Sequence, residues 1–478
     1  MYYMQYKNFI SAVNEFSKKL AEEDNILIVS HHDADGICAC AIMLKVFEHL
    51  QKHADFKIIK QLDKSNITEI DCDNYDTIVF TDMGSGQLEL IKENIKNFYI
   101  IDHHTPIAEH EHQINPHFYG YDGGSDVSGS GMAYFVAKSL GCKGVADIAI
   151  VGAVGDMQDS KGKFENLNRK IVDDGIREKI LNVKPDLRLF GRQSRPLVNM
   201  IVYASDPIIP GLTGNRQECV QFIENLGISL NGNGNRNGNG NGNGNGKGFK
   251  RYIDLTEEER IKLRDALYIH LIDSNVPEFL INRLVGEVYT LLREEKGTEL
   301  RDAKEFATVM NACGRNNNSE IGVAVCSGNR NENLVKAKRL LKIHRQNLRC
   351  GIDFVRSNPF LKKSNFYYFD AGDLIDESIV GVVAGMAYGA KIIPPDKPIL
   401  GLADDKDDLT MKKISARATW TLIKKGIHLG NAMREGCEKV GGEGGGHDIA
   451  AGAKILREKE KEFLDIVDGI FEEQLKWG

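Results

Sequence analysis

The sequence lacks features that would place it among disulfide-stapled or membrane-spanning proteins. None of its nine cysteines forms a CxxC pair, so reduced thiols are expected rather than a disulfide framework. No apolar run approaches about eighteen residues, the length that a membrane span needs. The N-terminal residues do not have the layout of a signal peptide. We therefore expect a cytoplasmic protein with no membrane partner.

An excess of positive charge is also missing. The 61 Lys and Arg residues stand against 68 Asp and Glu residues, which gives a formal net charge of −7. Any nucleic-acid binding must therefore use a local basic surface. The 478 residues suffice for about two to four domains with a sizeable core.

An apolar segment that runs into an acidic turn is the first informative feature. Residues 26–29 (ILIV) form the continuous apolar run of a strand buried on both faces, and HHDADG and a helical pattern follow. This order places polar side chains at the carboxyl edge of a parallel sheet. Asp33 and Asp35 would project to the same side of an extended chain, where a cation would relieve their repulsion. Alone, the motif is equally consistent with an Asp-Gly turn and a helix N-cap.

The same pattern returns at the ends of two later apolar segments. TIVFT runs into Asp82, and NFYII runs into Asp102, His103 and His104. Because the carboxyl ends of parallel strands meet at one edge, the pattern predicts a metal site built by strand termini. Asp102 and His103 are neighbours and should point opposite ways. This favours His103 as a ligand and leaves Asp102 to orient the shell behind it.

A further carboxylate completes the candidate ligand set. Residues 147–155 (DIAIVGAVG), an apolar segment of small residues, run into Asp156. Four aspartates and a histidine without a cysteine pair form a hard, oxygen-rich set that suits Mn²⁺ or Mg²⁺ better than structural Zn²⁺. Two such ions roughly 3.5–4 Å apart are the usual device for in-line attack at phosphorus.

These stretches resemble the four motifs of the DHH phosphoesterase superfamily, which here read HHDADG, TDMG, IDHH and VGAVGDMQD. Residues 114–134 (INPHFYGYDGGSDVSGSGMAY) are similar to the segment that connects its third and fourth motifs. SARAT (residues 415–419) and GGEGGGHDIAAG (residues 441–452) resemble its DHH-associated C-terminal domain. The whole chain resembles the RecJ-like single-strand exonucleases of the archaeal branch. Some other branches place a ligand histidine where this chain has Val29, which favours the RecJ-like branch over the pyrophosphatases.

The resemblance implies an α/β architecture of three parts. Residues 1–180 would form a DHH catalytic domain on a parallel sheet, and residues 181–330 an inserted, mostly helical region. Residues 331–478 would form a connector helix and a smaller α/β DHH-associated domain that binds substrate. Within the middle region, the Asn/Gly-rich residues 231–248 should be a flexible loop. The resemblance also implies that this region docks replication proteins such as GINS.

The resemblance further implies roles for individual residues. Two metal ions, Mn²⁺ or Mg²⁺, would be held by Asp33, Asp35, Asp82, His103 and Asp156. Asp82 is the best candidate for the bridge between the ions, and Asp102 would lie in the shell behind them. His104 and His32 are the other catalytic candidates, with His104 placed to contact the phosphate or the leaving oxygen. The substrate-binding candidates are Ser415, Arg417, Gly445, Gly446 and His447.

Two C-terminal patterns leave alternatives open. The glycine run at residues 441–446 is either an anion-binding nest beside His447 or a flexible turn; with Arg417 on the same domain, the nest is favoured. Residues 334–350 form an amphipathic helix with a basic flank, which is either a solvated face or a phosphate-tracking surface.

The sequence therefore predicts a metal-dependent exonuclease acting in DNA replication or repair on the end of single-stranded DNA or RNA. DNA and 5′→3′ polarity are favoured by the resemblance. One alternative is a phosphodiesterase of oligoribonucleotides or cyclic dinucleotides on the same scaffold. The other is a replication-complex scaffold with residual nuclease activity.

Overall fold

The computed structural model describes residues 2–204, 207–231, 249–390, 392–406 and 408–477. The chain folds into two compact units, Met1–Leu341 and Lys342–Gly478. The Asn/Gly-rich segment predicted to be a flexible loop lies outside the described residues except for Asn231. The predicted boundary near residue 180 lies within the first unit, and the three-part division stays a prediction.

A parallel sheet organises the start of the first unit. Its strands lie in the order β2-β1-β3-β4-β5, and each neighbouring pair is parallel. The apolar segments predicted as buried strands are β1, β3 and β4, which are buried along nearly their whole length. The strands are β1 Ile26–His31, β2 Ala54–Ile59, β3 Thr77–Thr81, β4 Phe98–Ile101 and β5 Gln113–Ile114. The predicted α/β class with an N-terminal parallel sheet is confirmed.

Helices cover this sheet and supply most of the core. They are α1 Tyr2–Leu20, α2 Ala34–His49, α3 Leu88–Asn94, α4 Gly129–Ser139, α5 Ala146–Gly155 and α6 Asn166–Arg177. The apolar segment before Asp156 is α5, a helix buried on all sides against α2 and α4. Its many small residues allow this close packing of helices. Ser128 caps α4 by accepting a hydrogen bond from the Gly131 amide.

The middle of the chain is mostly helical, as predicted. Its helices are α7 Leu197–Val202, α8 Arg216–Asn225, α9 Glu257–Asp273, α10 Glu278–Ile281, α11 Ala303–Arg315 and α12 Ser319–Cys326. Residues 187–284 have their own apolar core, whereas α11 and α12 pack into the core beside the parallel sheet. The sequence did not predict the antiparallel pair of β6 (Leu181–Leu187) and β7 (Val285–Leu291). The partners lie about a hundred residues apart, so no local pattern signals the pairing.

The second unit is a smaller α/β domain, as predicted. Its sheet has the strand order β12-β13-β11-β10-β9-β8. The strands are β8 Leu361–Lys362, β9 Tyr367–Asp370, β10 Ile399–Asp404, β11 Met411–Arg417, β12 Glu443–Gly446 and β13 Ala450–Leu456. The predicted connector is α13, Glu332–Ser357, which begins in the first unit and ends in the second. The other helices of the second unit are α14 Glu377–Gly389, α15 Trp420–Ile423, α16 Leu429–Val440 and α17 Glu460–Trp477.

Two expectations from composition can be compared with the fold. All nine cysteines lie among the described residues, and each is a free thiol. Of the helices in the described part of the chain, none combines the length and the hydropathy that a transmembrane span requires.

Candidate metal centre

The carboxyl ends of β1, β3 and β4 place acidic and histidine side chains at one edge of the parallel sheet. Asp82 follows β3 directly, and His103 lies two residues beyond β4. Asp156, at the C-terminal end of α5, joins them from the helical layer. The structure thus brings together Asp33, Asp35, Asp82, His103 and Asp156, the five residues predicted as metal ligands. Their role as ligands stays a prediction.

The potential ligand atoms form two adjacent groups joined at Asp82. In the first group, His31 Nδ1 lies 3.1 Å from Asp33 Oδ2 and 3.7 Å from Asp82 Oδ2. In the second, His103 Nε2 lies 3.1 Å from Asp82 Oδ1 and 3.8 Å from Asp35 Oδ2. One oxygen of Asp82 therefore faces each group, the arrangement that a bridging carboxylate between two ions requires.

Asp33 and Asp35 do not project together from an extended chain, so that expectation is wrong. Asp33 is the extended residue that caps α2, and its Oδ1 accepts hydrogen bonds from the amides of Asp35 and Gly36. Asp35 already lies in the first helical turn, which rotates its side chain away. The HHDADG motif therefore supplies both the N-cap of α2 and two carboxylates of the centre. Asp33 belongs to the first ligand group and Asp35 to the second.

The loop before α4 holds Asp35 in place. Ser128 Oγ donates to Asp35 Oδ1 at 2.8 Å, and the Gly129 amide donates to Asp35 Oδ2 at 2.6 Å. A side chain at Gly129 would place its Cβ 2.5 Å from Asp82 Oδ1, so only glycine lets the backbone approach both carboxylates. The contact of Ser128 with Asp35, 93 residues away, is a tertiary feature that no local pattern signals.

The charge balance of the centre favours a cation. Burial raises the pKa of Asp35, and the neighbouring Asp82 and Asp156 carboxylates raise it further. Burial and the nearby Asp82 likewise raise the pKa of Asp156. Burial disfavours a charged His103, but these carboxylates outweigh it and raise the pKa of the imidazole well above its usual range.

The side chains at the centre are chemically suited to a divalent cation. Asp82 Oδ1 is buried and accepts no hydrogen bond of good geometry from the described residues, although it lies 3.1 Å from His103 Nε2. Crowded carboxylates with an imidazole nitrogen directed among them are the environment that Mn²⁺ or Mg²⁺ stabilises. The residues present therefore fit the predicted ions.

Asp102 accepts a hydrogen bond from the His104 ring and not from the His103 ring. Its Oδ1 accepts hydrogen bonds from the His103 amide at 2.8 Å and from His104 Nδ1 at 2.8 Å. The His103 ring is held instead by the Gly123 carbonyl, 2.7 Å from Nδ1. Burial opposes protonation of His104, but the hydrogen bond to Asp102 raises its pKa to about 9.

His31 was not predicted as a site residue, but its ring lies beside Asp33 and Asp82. The His32 ring contacts the opposite nitrogen of His31. His32 Nδ1 is 3.1 Å from His31 Nε2. Burial, with the nearby positive charges of His31, Lys60 and Arg315, lowers the pKa of His32 to about 4. His32 is therefore a neutral ring near pH 7 whose Nδ1 faces His31, and its catalytic role stays a prediction.

A further missed contribution comes from α11, in the middle region. Asn311 Oδ1 accepts a hydrogen bond from the Ala34 amide at 3.0 Å, which fixes the first turn of α2. A Cβ atom at Gly314 would collide with the His32 carbonyl oxygen. The partner of Asn311 lies 277 residues away in the chain, so no local pattern signals the contact.

The candidate substrate-binding residues of the second unit lie at one end of its sheet. Ser415 of β11 pairs with Gly452, which pairs in turn with Gly445 of β12. Arg417, at the end of β11, pairs with Ala450. The predicted residues Ser415, Arg417, Gly445, Gly446 and His447 therefore lie close together in the same unit.

The glycine run is an ordered hairpin, not an anion-binding nest or a flexible turn. Gly445 and Gly446 belong to β12, and the chain reverses at His447 into β13. The His447 and Asp448 carbonyls accept hydrogen bonds from the Gly430 and Leu429 amides. The tip is thus fixed to the start of α16, and His447 stays exposed there.

Comparisons with known proteins match three domains to this chain. Residues 25–153 match the N-terminal domain of the DHH family, residues 189–285 match the DHH-CID domain, and residues 366–473 match the DHHA1 domain. An uncharacterised protein of Methanocaldococcus jannaschii is 29% identical over 460 residues, which cover 94% of each chain.

Two solved structures share the fold over nearly the whole chain. Exonuclease RecJ bound to manganese aligns with a TM-score of 0.55 at 15% identity, over 96% of this chain and 94% of that chain. CDC45 from Entamoeba histolytica aligns with a TM-score of 0.61 at 14% identity, over 98% of this chain and 99% of that chain. At these identities the likeness establishes the fold.

Proposed function

Because the chain belongs to the DHH superfamily and has a RecJ-like fold, we propose that it is a metal-dependent exonuclease. It would hydrolyse phosphodiester bonds at the end of single-stranded nucleic acid. The observation that carries the proposal is the pair of ligand groups joined at Asp82. Bound Mn²⁺ or Mg²⁺ supplies activation of water and neutralisation of charge at phosphorus.

The acidic and histidine side chains would each hold one or both of the ions. Asp33 and His31 would hold one ion, Asp35 and Asp156 the other, and Asp82 both. His103 would direct Nε2 into the centre, because its Nδ1 is hydrogen-bonded to a backbone carbonyl.

His104 would hold a proton beside the reacting phosphate. Its Nδ1 is bonded to Asp102, and the side chain is more than half exposed. A pKa near 9 keeps this imidazole protonated at neutral pH, so Nε2–H can donate to a phosphate or a leaving oxygen.

The second unit would bind the strand. Arg417 offers a guanidinium suited to bidentate phosphate contact, with Ser415 two residues before it on β11. His447 is exposed at the tip of the ordered hairpin, which gives it a fixed position. The amides of Gly445 and Gly446 belong to β12, the strand at the edge of the sheet.

We infer DNA as the substrate and 5′→3′ as the polarity from the RecJ-like domain order, with a role in replication or repair in the cytoplasm. The middle region would then dock replication proteins such as GINS. The fold likeness to CDC45 supports a second candidate, a replication-complex scaffold with residual nuclease activity.

Single strands of DNA and RNA, each labelled at either end, test the proposal. In Mn²⁺ we expect stepwise release of nucleotides from one end, no release in EDTA, and recovery when Mn²⁺ is restored. Hydrolysis of dinucleotides but not of long strands would favour the oligoribonucleotide alternative. Undiminished hydrolysis in EDTA would contradict the metal mechanism, and no hydrolysis in Mn²⁺ or Mg²⁺ would favour the scaffold.

A further inference from the structure

A buried glutamine lies between two of the proposed metal ligands. Gln158, in the loop that follows α5, is 5% exposed. Its Nε2 lies 2.8 Å from Asp156 Oδ2 and 2.8 Å from the Gly123 carbonyl oxygen. The same carbonyl lies 2.7 Å from His103 Nδ1. The Gly123 carbonyl oxygen thus accepts hydrogen bonds from both Gln158 and His103. The second N–H of the Gln158 amide donates to Asp156.

The surroundings fix which way the Gln158 amide points. The Gly123 carbonyl can only accept hydrogen bonds, and so can the ionised Asp156 carboxylate, so both require the NH₂ group. Gln158 Oε1 then needs a donor, which the buried Asn168 supplies from Nδ2 at 2.5 Å. The glutamine is therefore held at both ends of its amide, as a rigid spacer.

The segment that carries Gly123 is itself fixed against the His103 backbone. A Cβ atom at Gly123 would collide with the His103 carbonyl oxygen, so the two backbones touch. Movement of the carbonyl would therefore turn the His103 ring. A side chain that anchors this carbonyl controls the direction of His103 Nε2.

We propose that Gln158 is a positioning residue that sets the orientation of His103 and Asp156 together. This inference rests on the proposed function, because it takes these two residues as metal ligands. Gln158 lies outside both ligand groups and acts through the Gly123 carbonyl and the Asp156 carboxylate. Polar partners behind metal ligands typically change metal affinity by about 10- to 100-fold when they are lost.

The test compares Mn²⁺ binding to the full chain and to variants, by the electron paramagnetic resonance signal of free Mn²⁺. Gln158→Met keeps the length of the side chain and removes every hydrogen bond, and Gln158→Asn shortens its reach. We expect the Kd for Mn²⁺ to rise by about 10- to 100-fold in both. The Mn²⁺ concentration at half-maximal hydrolysis should rise by the same factor.

A matched control separates positioning from general packing. Gln193 is similarly buried, at 6% exposure, and its Oε1 accepts a hydrogen bond from the Gly297 amide. Gln193→Met should lower the thermal midpoint without changing the Kd for Mn²⁺. If folded Gln158→Asn bound Mn²⁺ with wild-type affinity, the inference about Gln158 would be wrong while the proposed function would stand. Absence of Mn²⁺ binding to the wild-type chain would overturn the proposed function and the inference with it.

Discussion

At the scale of single residues, the environment of each carboxylate decides its chemistry. Asp33 is partly exposed and Asp102 is buried, and both lie beside imidazoles. Loss of solvation opposes ionisation, but the charge of those rings holds the pKa of each carboxyl below its usual range. Asp35 is buried and Asp156 is partly buried beside other carboxylates. Loss of solvation and the neighbouring negative charge raise the pKa values of both. Neighbouring imidazoles thus favour the ionised form of Asp33 and Asp102, whereas neighbouring carboxylates disfavour the ionised form of Asp35 and Asp156.

Asp82→Ala should abolish turnover while the protein stays folded. The substitution removes the side chain that faces both proposed ligand groups, so neither ion would be held correctly. It relieves carboxylate crowding but places Ala at the left-handed φ of 59° that Asp82 adopts, a backbone cost of about 1–2 kcal/mol, so the metal-free protein should stay folded with at most a modest loss of stability. Hydrolysis of an end-labelled strand and urea denaturation in EDTA measure the two effects.

Asp76→Ala is the control for this variant, because Asp76 is exposed just before the other end of β3. It should behave as the wild type in both measurements. Wild-type turnover in Asp82→Ala would mean that the bridging role is wrongly assigned.

Glu305 should make the protein less stable as the pH rises through the weakly acidic range. Burial, followed by the neighbouring Asp302, raises the pKa of Glu305 to about 7, above the model-peptide value of about 4.3. The folded state therefore binds the proton more tightly than the unfolded state. The stabilisation is complete below the unfolded pKa and is lost as the pH approaches 7.

Glu305→Gln tests this with the urea midpoint measured from pH 4.5 to 7.5. The amide oxygen can still accept from the Gln193 amide, which lies 2.8 Å from Glu305 Oε1. We expect a flatter pH profile than in the wild type. An unchanged slope would assign the pH dependence to other groups.

At the scale of elements, the metal centre depends on parts of the chain outside the parallel sheet. The segment after β6 supplies Arg188, which donates to the Asp159 carbonyl at 2.8 Å and to Asp159 Oδ2 at 2.5 Å. Both side chains are almost fully buried. This ion pair ties the middle region to the loop that begins at Asp156.

Arg188→Met should destabilise the first unit by about 3–5 kcal/mol, because it leaves a buried carboxylate without its cation. Urea denaturation followed by circular dichroism gives the free energy of unfolding. The double variant Arg188→Met/Asp159→Leu should recover part of the loss. A single variant as stable as the wild type would show that the pair contributes nothing.

Replacement of residues 232–248 by a short Gly-Ser linker should leave exonuclease activity nearly unchanged. Asn231 and Phe249 already pair across the two ends of the segment, so a few residues can close the gap. Closure entropy changes by only about 0.6 kcal/mol per doubling of loop length. Loss of turnover on long strands, with Mn²⁺ affinity kept, would place the segment in the path of the substrate.

At the scale of the whole molecule, chemistry and substrate binding are assigned to different units. The ligand groups belong to the first unit, and the predicted phosphate-binding side chains belong to the second. The formal net charge of −7 offers no general attraction for nucleic acid. Strand binding must therefore depend on particular cations such as Arg417.

Arg417→Ala should weaken single-strand binding and flatten its salt dependence by about 0.7 in log–log terms, the contribution of one phosphate contact. Fluorescence anisotropy of a labelled strand at several salt concentrations measures the slope. Arg434→Ala, which removes an exposed arginine of α16 in the same unit, is the control. If the Arg417→Ala slope matches that of the wild type, this side chain makes no phosphate contact.

Local patterns determined the α/β class and the identity of the carboxylates. Runs such as TIVFT and FYII form buried strands because every residue in them is apolar, aromatic or β-branched. Parallel strands then deliver their last residues to one edge of the sheet. The helical middle and the smaller C-terminal domain were also predictable, with their outline coming from the resemblance. These features depend on neighbouring residues in the chain.

Tertiary structure decided which side chains complete the centre. His31 rather than His32 faces the carboxylates, and Asp102 holds His104 rather than His103, because strand twist and the start of α2 set those directions. Asn311 meets Ala34 across 277 positions, and Gln158 meets Gly123 across 35. Such contacts form when segments that are distant in the chain pack together. They produce no periodic pattern in the sequence, so only the folded structure reveals them.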